Sequence, residues 1–199
     1  CLDLVERITP GGKDQDTFWI ICKRLKKWQS LFSDKAINLL SANEIQGLYA
    51  ELYFIAELLE KGGIDEDALI QGWEGPEKGQ HDFILNDMAV EIKSVTANQR
   101  GKVRISSEYQ LDTHLANLFM CVYFLSKTHE AHGESLNAIV KRINHTIEAR
   151  KVKDLFEIKL EAAHYIDIPD YDIPSFLVKD CYVYLISENF PHISRKDLP

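Results

Sequence analysis

Two carboxylates and one lysine, Asp82, Glu91 and Lys93, lie within one short stretch of the sequence, and these residue types could hold a metal ion against a phosphate group. The stretch, residues 81–94 (HDFILNDMAVEIKS), has two apolar runs separated by Asn86-Asp87, which predicts a β-hairpin with a two-residue turn. That register places Asp82 directly opposite Glu91, with their Cβ atoms about 5 Å apart. Strand alternation then puts Lys93 on the same face as Glu91.

The other face of this predicted hairpin is uniformly apolar, which suits a face directed at the core: Phe83, Leu85, Met88, Val90 and Ile92. Two directly opposed carboxylates are destabilising unless a positive charge lies between them. Lys93 is one source of that charge, and a divalent metal held by oxygen ligands is the other. From the residues alone, a structural salt-bridge cluster and a metal site both remain open.

A third carboxylate, Glu51, interrupts the apolar stripe of a predicted helix over about residues 42–61. The helix begins with a capping-box pattern at Ser41 and Glu44 and ends at Gly62-Gly63. A carboxylate in an apolar stripe needs a partner, because an unpaired buried charge is costly. We expect a metal ion or Lys93 to be that partner.

The remaining patterns indicate an α+β (mixed α/β) fold with a central mixed sheet of about 4–5 strands flanked by helices. Helices are predicted at 14–32, 134–149 and 152–164, and strands at 103–107, 118–125 and 181–187. The predicted organisation is an N-terminal helical segment (1–40), a core (41–128) and C-terminal helices with a strand packed on that core (129–199). Because the chain starts with Cys1, we expect it to be a fragment of a longer protein.

The set Asp82, Glu91-Ile92-Lys93 and Glu51 resembles the PD-(D/E)XK nuclease superfamily of restriction-endonuclease-like proteins. The family core runs helix, three-stranded meander, helix and strand, which corresponds here to residues 42–125. The segment Gly47-Leu48-Tyr49-Ala50-Glu51, together with His81-Asp82-Phe83 and Glu91-Ile92-Lys93 downstream, looks like a branch found among restriction and phage-defence proteins. His81 stands where the motif name has proline, at a position that varies widely in the superfamily.

The resemblance implies a Mg²⁺-dependent DNA endonuclease, with Mn²⁺ as a substitute, that serves restriction or phage defence. It implies that Asp82, Glu91 and the backbone carbonyl of Ile92 bind the metal. Lys93 would orient or help deprotonate the nucleophile, or stabilise charge on the phosphate. Glu51 would hydrogen-bond to the metal ligands or bind a second ion. Cleavage of both strands would favour a homodimer or a partner subunit.

Residues beyond the hairpin could contact DNA, and the resemblance assigns Gln110 to a polar position that some branches of the family carry. Arg100, Lys102 and Arg104 are candidates for phosphate contacts, although ordinary solvated charges explain them equally well. No histidine pair has metal-ligand spacing, so His81 is expected at the surface or, at most, in a hydrogen bond to a metal ligand.

The amino-acid composition limits the possible functions of the protein but does not decide between them. The net charge of −8 argues against a protein that coats nucleic acid through bulk charge, so target recognition could depend on another chain. No apolar run is long enough to span a membrane. Cys121 and Cys181 lie in apolar runs and are expected to be buried thiols, which favours the cytoplasm. The alternatives to a nuclease are a non-catalytic DNA-binding or assembly subunit that keeps the fold, and a binding domain with a purely structural charge cluster.

Overall fold

A computed structural model describes residues 39–96, 115–128, 133–187 and 190 of the chain. The predicted helix at 14–32 and the predicted strand at 103–107 lie outside the described residues, and so do Arg100, Lys102, Arg104 and Gln110. The described residues from Leu40 onward belong to one compact unit. The division of the chain at residues 40 and 128 stays a prediction.

The described residues form four α-helices and a five-stranded mixed sheet, which confirms the predicted α+β class. The helices are α1 (Ala42–Lys61), α2 (Glu66–Gln71), α3 (Leu136–Thr146) and α4 (Arg150–Ala162), with short 3₁₀ turns at Gly75–Glu77 and Pro169–Asp172. The strands are β1 (Phe83–Leu85), β2 (Met88–Thr96), β3 (Asn117–Thr128), β4 (Glu134–Ser135) and β5 (Ser175–Ile186). None of these helices is long and apolar enough to cross a membrane.

The strands lie in the order β1-β2-β3-β5-β4. β2 and β3 are parallel, whereas the other neighbouring pairs are antiparallel. The β1–β2 hairpin has the predicted register, with Leu85 opposite Met88 and Phe83 opposite Val90. Asn86 in the turn adopts a left-handed backbone with φ 55°, a conformation that asparagine tolerates better than most residues. Turn chemistry and hydrophobic alternation therefore agree on one register.

Helix α1 begins and ends where its capping signals predict. The Ser41 hydroxyl accepts a hydrogen bond from the Glu44 N–H, and the Glu44 carboxylate accepts one from the Ser41 N–H. Gly62 ends the helix with φ 69°, a left-handed conformation that costs glycine little, and its N–H bonds the Leu58 carbonyl. Helix position and length were thus readable from local sequence.

Two apolar clusters cover opposite faces of the sheet. The larger lies between the sheet and the helices and includes Leu52 and Ile55 of α1 with Val90 and Ile92 of β2. The smaller is centred on Val95, Met120 and Val122, with Phe124, Ile186 and Phe190 packed against it. By strand alternation, Glu91 and Lys93 lie on the face of the smaller cluster, away from the helices.

The last strand differs from its prediction. β5 begins at Ser175 rather than Cys181, because pairing with β3 continues past the charged residues Lys179 and Asp180. The ladder passes from Asp180 to Val178 and leaves Lys179 without an opposite residue, which is the pattern of a β-bulge. Cys121 is buried as expected, but the prediction for Cys181 is wrong, since its side chain is exposed.

Candidate active site at the start of the hairpin

Glu91 and Lys93 form an ion pair on one face of β2, as their alternation predicts. Lys93 Nζ lies 2.7 Å from Glu91 Oε1, and the two side chains are only 15% and 2% exposed. A carboxylate removed from water so completely needs a charged partner, because desolvation otherwise drives it to the neutral form. Lys93 supplies part of that compensation.

Asp82 lies one residue before the first hairpin pair and is held through both its backbone and its side chain. Its carbonyl accepts hydrogen bonds from the N–H groups of Glu74 (2.8 Å) and Gly75 (3.1 Å). Its carboxylate Oδ2 accepts a 2.6 Å hydrogen bond from the backbone N–H of Ile92. Asp82 is therefore fixed beside β2 next to Glu91.

The pKa of Asp82 is raised to about 7, first by burial and then by the charge of Glu91. The Ile92 N–H and the charge of Lys93 lower that pKa and offset only part of the rise. A raised carboxylate pKa means that the neighbourhood has too little positive charge for the ionised form. A cation at this position would therefore be strongly favoured.

Glu51 reaches the same neighbourhood from α1, where its next helical turn packs Phe54 against Phe83 with ring centroids 4.8 Å apart. Its carboxylate Oε2 accepts a 2.8 Å hydrogen bond from the indole N–H of Trp73. The sequence predicted a metal ion or Lys93 as the partner of Glu51 and did not identify Trp73. Burial, followed by the charge of Asp82, raises the pKa of Glu51 to about 8.

The loop from Gly72 to Gly79 connects these carboxylates along the outer edge of β1. Trp73 pairs with Phe83 in an isolated antiparallel bridge, and the Ile84 N–H bonds the Gly72 carbonyl. From α4, the buried ammonium of Lys159 donates to the carbonyls of Gln71 (3.1 Å) and Trp73 (2.5 Å). This helix thereby holds the loop that positions Glu51.

Gly75 is the point of closest backbone approach to Glu51. A Cβ added at Gly75 would collide with the Glu51 carboxylate oxygen, and it would lie 3.3 Å from the Trp73 indole nitrogen. The glycine therefore leaves the space that the Glu51–Trp73 hydrogen bond occupies. The sequence alone assigns no role to residues 73–79.

The described side chains do not converge as a ready metal site: within the described ranges no three histidine, cysteine, aspartate or glutamate residues are arranged to hold an ion. Asp82 and Glu51 are instead directed at the Ile92 and Trp73 N–H groups. The donor set still fits a divalent cation, because it offers hard carboxylate oxygens whose pKa values are raised by shortage of positive charge. His81 adds two buried ring nitrogens that have no hydrogen-bond partner among the described residues.

The prediction that His81 is a surface residue is wrong, since its side chain is only 3% exposed. Of the other predicted residues, Ser94 lies on the helix-facing side of β2, where its hydroxyl accepts a 3.3 Å hydrogen bond from Gln46 of α1. The structure thus brings together Asp82, Glu91 and Lys93, with Glu51 alongside.

Replacing Glu51 with glutamine should flatten the dependence of stability on pH. In the metal-free protein, Glu51 and Asp82 hold protons to about pH 8 and about pH 7, whereas the ordinary values are 4.5 and 3.8. The folded state then binds more protons than the unfolded state, so stability falls as pH rises from about 4 to about 8. Between about pH 4 and about pH 8, the melting temperature measured in a chelator should fall in both proteins. The fall should be smaller by a few degrees in Glu51→Gln than in the wild type.

The exposed Glu161 of α4 provides the matched control, because Glu161→Gln should reproduce the wild-type profile. A Glu51→Gln protein with an unchanged pH profile would contradict the assignment of a raised pKa to this carboxyl.

Replacing Gly75 with alanine is expected to displace the Glu51 carboxylate and to lower activity about 10–100-fold, as for partners that orient metal ligands. The melting temperature should change little, because the displaced atoms are the end of a flexible side chain. The control is Gly47→Ala on the same helix as Glu51, where an added Cβ meets no atom within 4 Å. Equal activity of the two variants would refute a role for Gly75 in positioning Glu51.

Comparison with known protein families gives a match to the whole chain. A family model with the description "Putative PD-(D/E)XK family member, (DUF4420)" matches residues 1–199. No curated protein and no solved structure gives a significant match.

Proposed function

Because this chain belongs to the DUF4420 family of PD-(D/E)XK proteins, we propose that it is a metal-dependent endonuclease that hydrolyses phosphodiester bonds of DNA. The observation that carries the proposal is the buried Glu91–Lys93 pair next to Asp82, whose pKa is raised by burial and by Glu91. Such a cluster is costly as a purely structural device, since one lysine does not balance several buried carboxylates. A divalent cation would balance it.

In this proposal Asp82 and Glu91 hold Mg²⁺, or Mn²⁺ in its place, with the backbone carbonyl of Ile92 as a further ligand. Glu91 already directs Oε1 to Lys93, so its Oε2 is the oxygen that would face the ion. Asp82 would exchange the Ile92 N–H for the cation, which is a rotation of one side chain. When bound, Mg²⁺ supplies positive charge that polarises the scissile phosphate and makes water a stronger nucleophile at neutral pH.

Lys93 and Glu51 would each have a further role beside the metal ion. Lys93 orients the attacking water, helps to deprotonate it, or stabilises negative charge on the phosphate. Glu51 accepts from Trp73 through Oε2, and its raised pKa lets it hold a proton near neutral pH. In its protonated form Glu51 would hydrogen-bond to groups around the ion, whereas in its ionised form it would bind a second ion.

The biological setting we propose is restriction or phage defence, with the enzyme acting as a homodimer or beside a partner subunit. The net charge of −8 supports a partner, because the chain lacks the bulk positive charge that attracts DNA. The predicted phosphate contacts at Arg100, Lys102 and Arg104 stay proposals. The alternative is a non-catalytic DNA-binding or assembly subunit that keeps the fold.

The test is cleavage of supercoiled plasmid and phage DNA by the full chain in Mg²⁺, Mn²⁺ or EDTA, with an RNA of equal length alongside. Glu91→Ala purified in parallel controls for contaminating nuclease. Metal-dependent cutting of DNA by the wild type alone is the expected result. A drop in phage plating that requires Glu91 would support the defence role.

Two other outcomes separate the alternatives. Intact DNA together with a Glu91-dependent rise of the melting temperature in Mn²⁺ would favour the non-catalytic subunit. Intact DNA with no response to metal would refute the proposal, because a structural salt-bridge cluster gains nothing from added Mg²⁺ or Mn²⁺.

A further inference from the structure

His81 is a buried polar side chain that the proposed mechanism leaves unused. Only 3% of its side chain is exposed, and neither Nδ1 nor Nε2 has a hydrogen-bond partner among the described residues. Buried polar atoms without partners are rare in native proteins because each loses its hydration without compensation. An imidazole in this state needs a reason to be there.

The carboxylate of Glu91 gives that reason. His81 Nδ1 lies 3.9 Å from Glu91 Oε2, which is too far for a hydrogen bond. Two ligands that each lie about 2.1 Å from one ion are at most about 4.2 Å apart, so this separation suits a shared cation. Oε2 is also the Glu91 oxygen that does not contact Lys93 in the 2.7 Å pair.

The backbone fixes where this imidazole starts. His81 immediately precedes Asp82, whose carbonyl is held by the N–H groups of Glu74 and Gly75. The imidazole ring therefore extends from a backbone segment that hydrogen bonds hold in place, and it lies on the side of β2 that carries Glu91. A metal ligand gains from such anchoring, because less side-chain freedom is lost when the ion binds.

We propose that His81 is a nitrogen ligand of the divalent metal ion that Glu91 and Asp82 bind, which tunes the site toward Mn²⁺ and Co²⁺ over Mg²⁺. Imidazole suits transition metals, whereas Mg²⁺ prefers oxygen ligands only. This inference rests on the proposed metal centre and specifies its ligand set. The ion would give Nδ1, the nitrogen that faces Glu91, the partner that it lacks among the described residues.

The experiment is pulsed EPR on the full chain loaded with Mn²⁺ alone, with calorimetric titration of Mn²⁺ and Mg²⁺. A coordinated imidazole gives a ¹⁴N modulation of the Mn²⁺ echo. We expect that signal in the wild type and in His145→Gln, which replaces an exposed histidine of α3. We expect its loss in His81→Gln, with Mn²⁺ binding weakened at least about 10-fold and Mg²⁺ binding affected less.

His81→Phe is a second variant in case His81→Gln folds poorly, because phenylalanine fills the site without buried nitrogens. Wild-type protein that binds Mn²⁺ through Glu91 without a ¹⁴N signal would overturn this inference and leave the proposed function standing. A signal that persists in His81→Gln or in Glu91→Ala would also overturn it. No Glu91-dependent binding of Mn²⁺ by the wild type would remove the metal centre and this inference together.

Discussion

Replacing Glu91 with glutamine is expected to lower DNA cleavage by at least about 10³-fold and to abolish the stabilisation of the protein by Mn²⁺. Glutamine keeps the shape of the side chain but removes the charge that balances both Lys93 and the ion. Metal contributes several kcal/mol to phosphoryl-transfer transition states, and each 1.36 kcal/mol corresponds to about tenfold in rate. DNA cleavage and the stabilisation of the protein by Mn²⁺ should therefore be lost together.

Replacing Lys93 with methionine should lower DNA cleavage without abolishing metal binding. Cleavage is expected to fall about 10²–10³-fold, the usual effect of removing one group that stabilises transition-state charge. Metal binding should be retained or tightened, because Lys93 no longer neutralises Glu91 across the 2.7 Å ion pair. The measurements are plasmid cleavage rates and melting temperatures across a Mn²⁺ titration.

Two surface changes are the controls for this pair: Glu161→Gln on α4 and Lys127→Met at an exposed position of β3. Neither should alter cleavage or the response to metal. The interpretation would be wrong if Lys93→Met lost metal binding as completely as Glu91→Gln, because Lys93 would then be needed to build the site. Retained cleavage in Glu91→Gln would refute the assignment of the metal ligands.

The parts of the site that sequence could predict are those set by local periodicity. The alternation of residues around the Asn86-Asp87 turn gives the β1–β2 register, and that register puts Glu91 and Lys93 on one face. Capping chemistry gives the bounds of α1 and therefore the position of Glu51. In both cases residues fewer than about five positions apart carry the information.

The missed parts depend on contacts between distant segments. Glu51 and Trp73 meet only because the loop after α2 runs along the outer edge of β1, and no local pattern specifies that path. His81 is one residue outside the regular strand, so alternation could not place its ring. Its burial follows from how the hairpin is covered rather than from its own sequence neighbourhood.

The sequence does indicate that Lys159 is a buried residue that needs a partner. It lies three residues after Phe156 and one before Leu160 in α4, both buried, so it interrupts an apolar stripe in the same way as Glu51 does in α1. A charged lysine in an apolar stripe needs a partner for the same reason as Glu51, because an unpaired buried charge is costly. What sequence could not supply are the partners, which are the backbone carbonyls of Gln71 and Trp73, 88 and 86 residues away along the chain, and the Glu77 carboxylate at 3.6 Å.

Replacing Lys159 with methionine is accordingly expected to cost about 2–4 kcal/mol of unfolding free energy, or about 5–15 °C in melting temperature. The change removes charge-assisted hydrogen bonds to the carbonyls of Gln71 and Trp73 and leaves the buried Trp73 carbonyl beneath an apolar side chain. The measurements are thermal and urea unfolding in a chelator.

Lys151→Met is the matched control, because Lys151 lies on the same helix, has a side chain that is 81% exposed, and pairs with Asp67 at 3.6 Å. Its effect should stay below about 1 kcal/mol. If Lys159 holds the loop, cleavage measured well below the melting temperature should fall as well, since Trp73 then no longer fixes Glu51. If Lys159→Met is less stable but cleaves DNA at the wild-type rate, Lys159 contributes to stability alone. If Lys159→Met and Lys151→Met are equally stable, Lys159 does not hold the loop against β1.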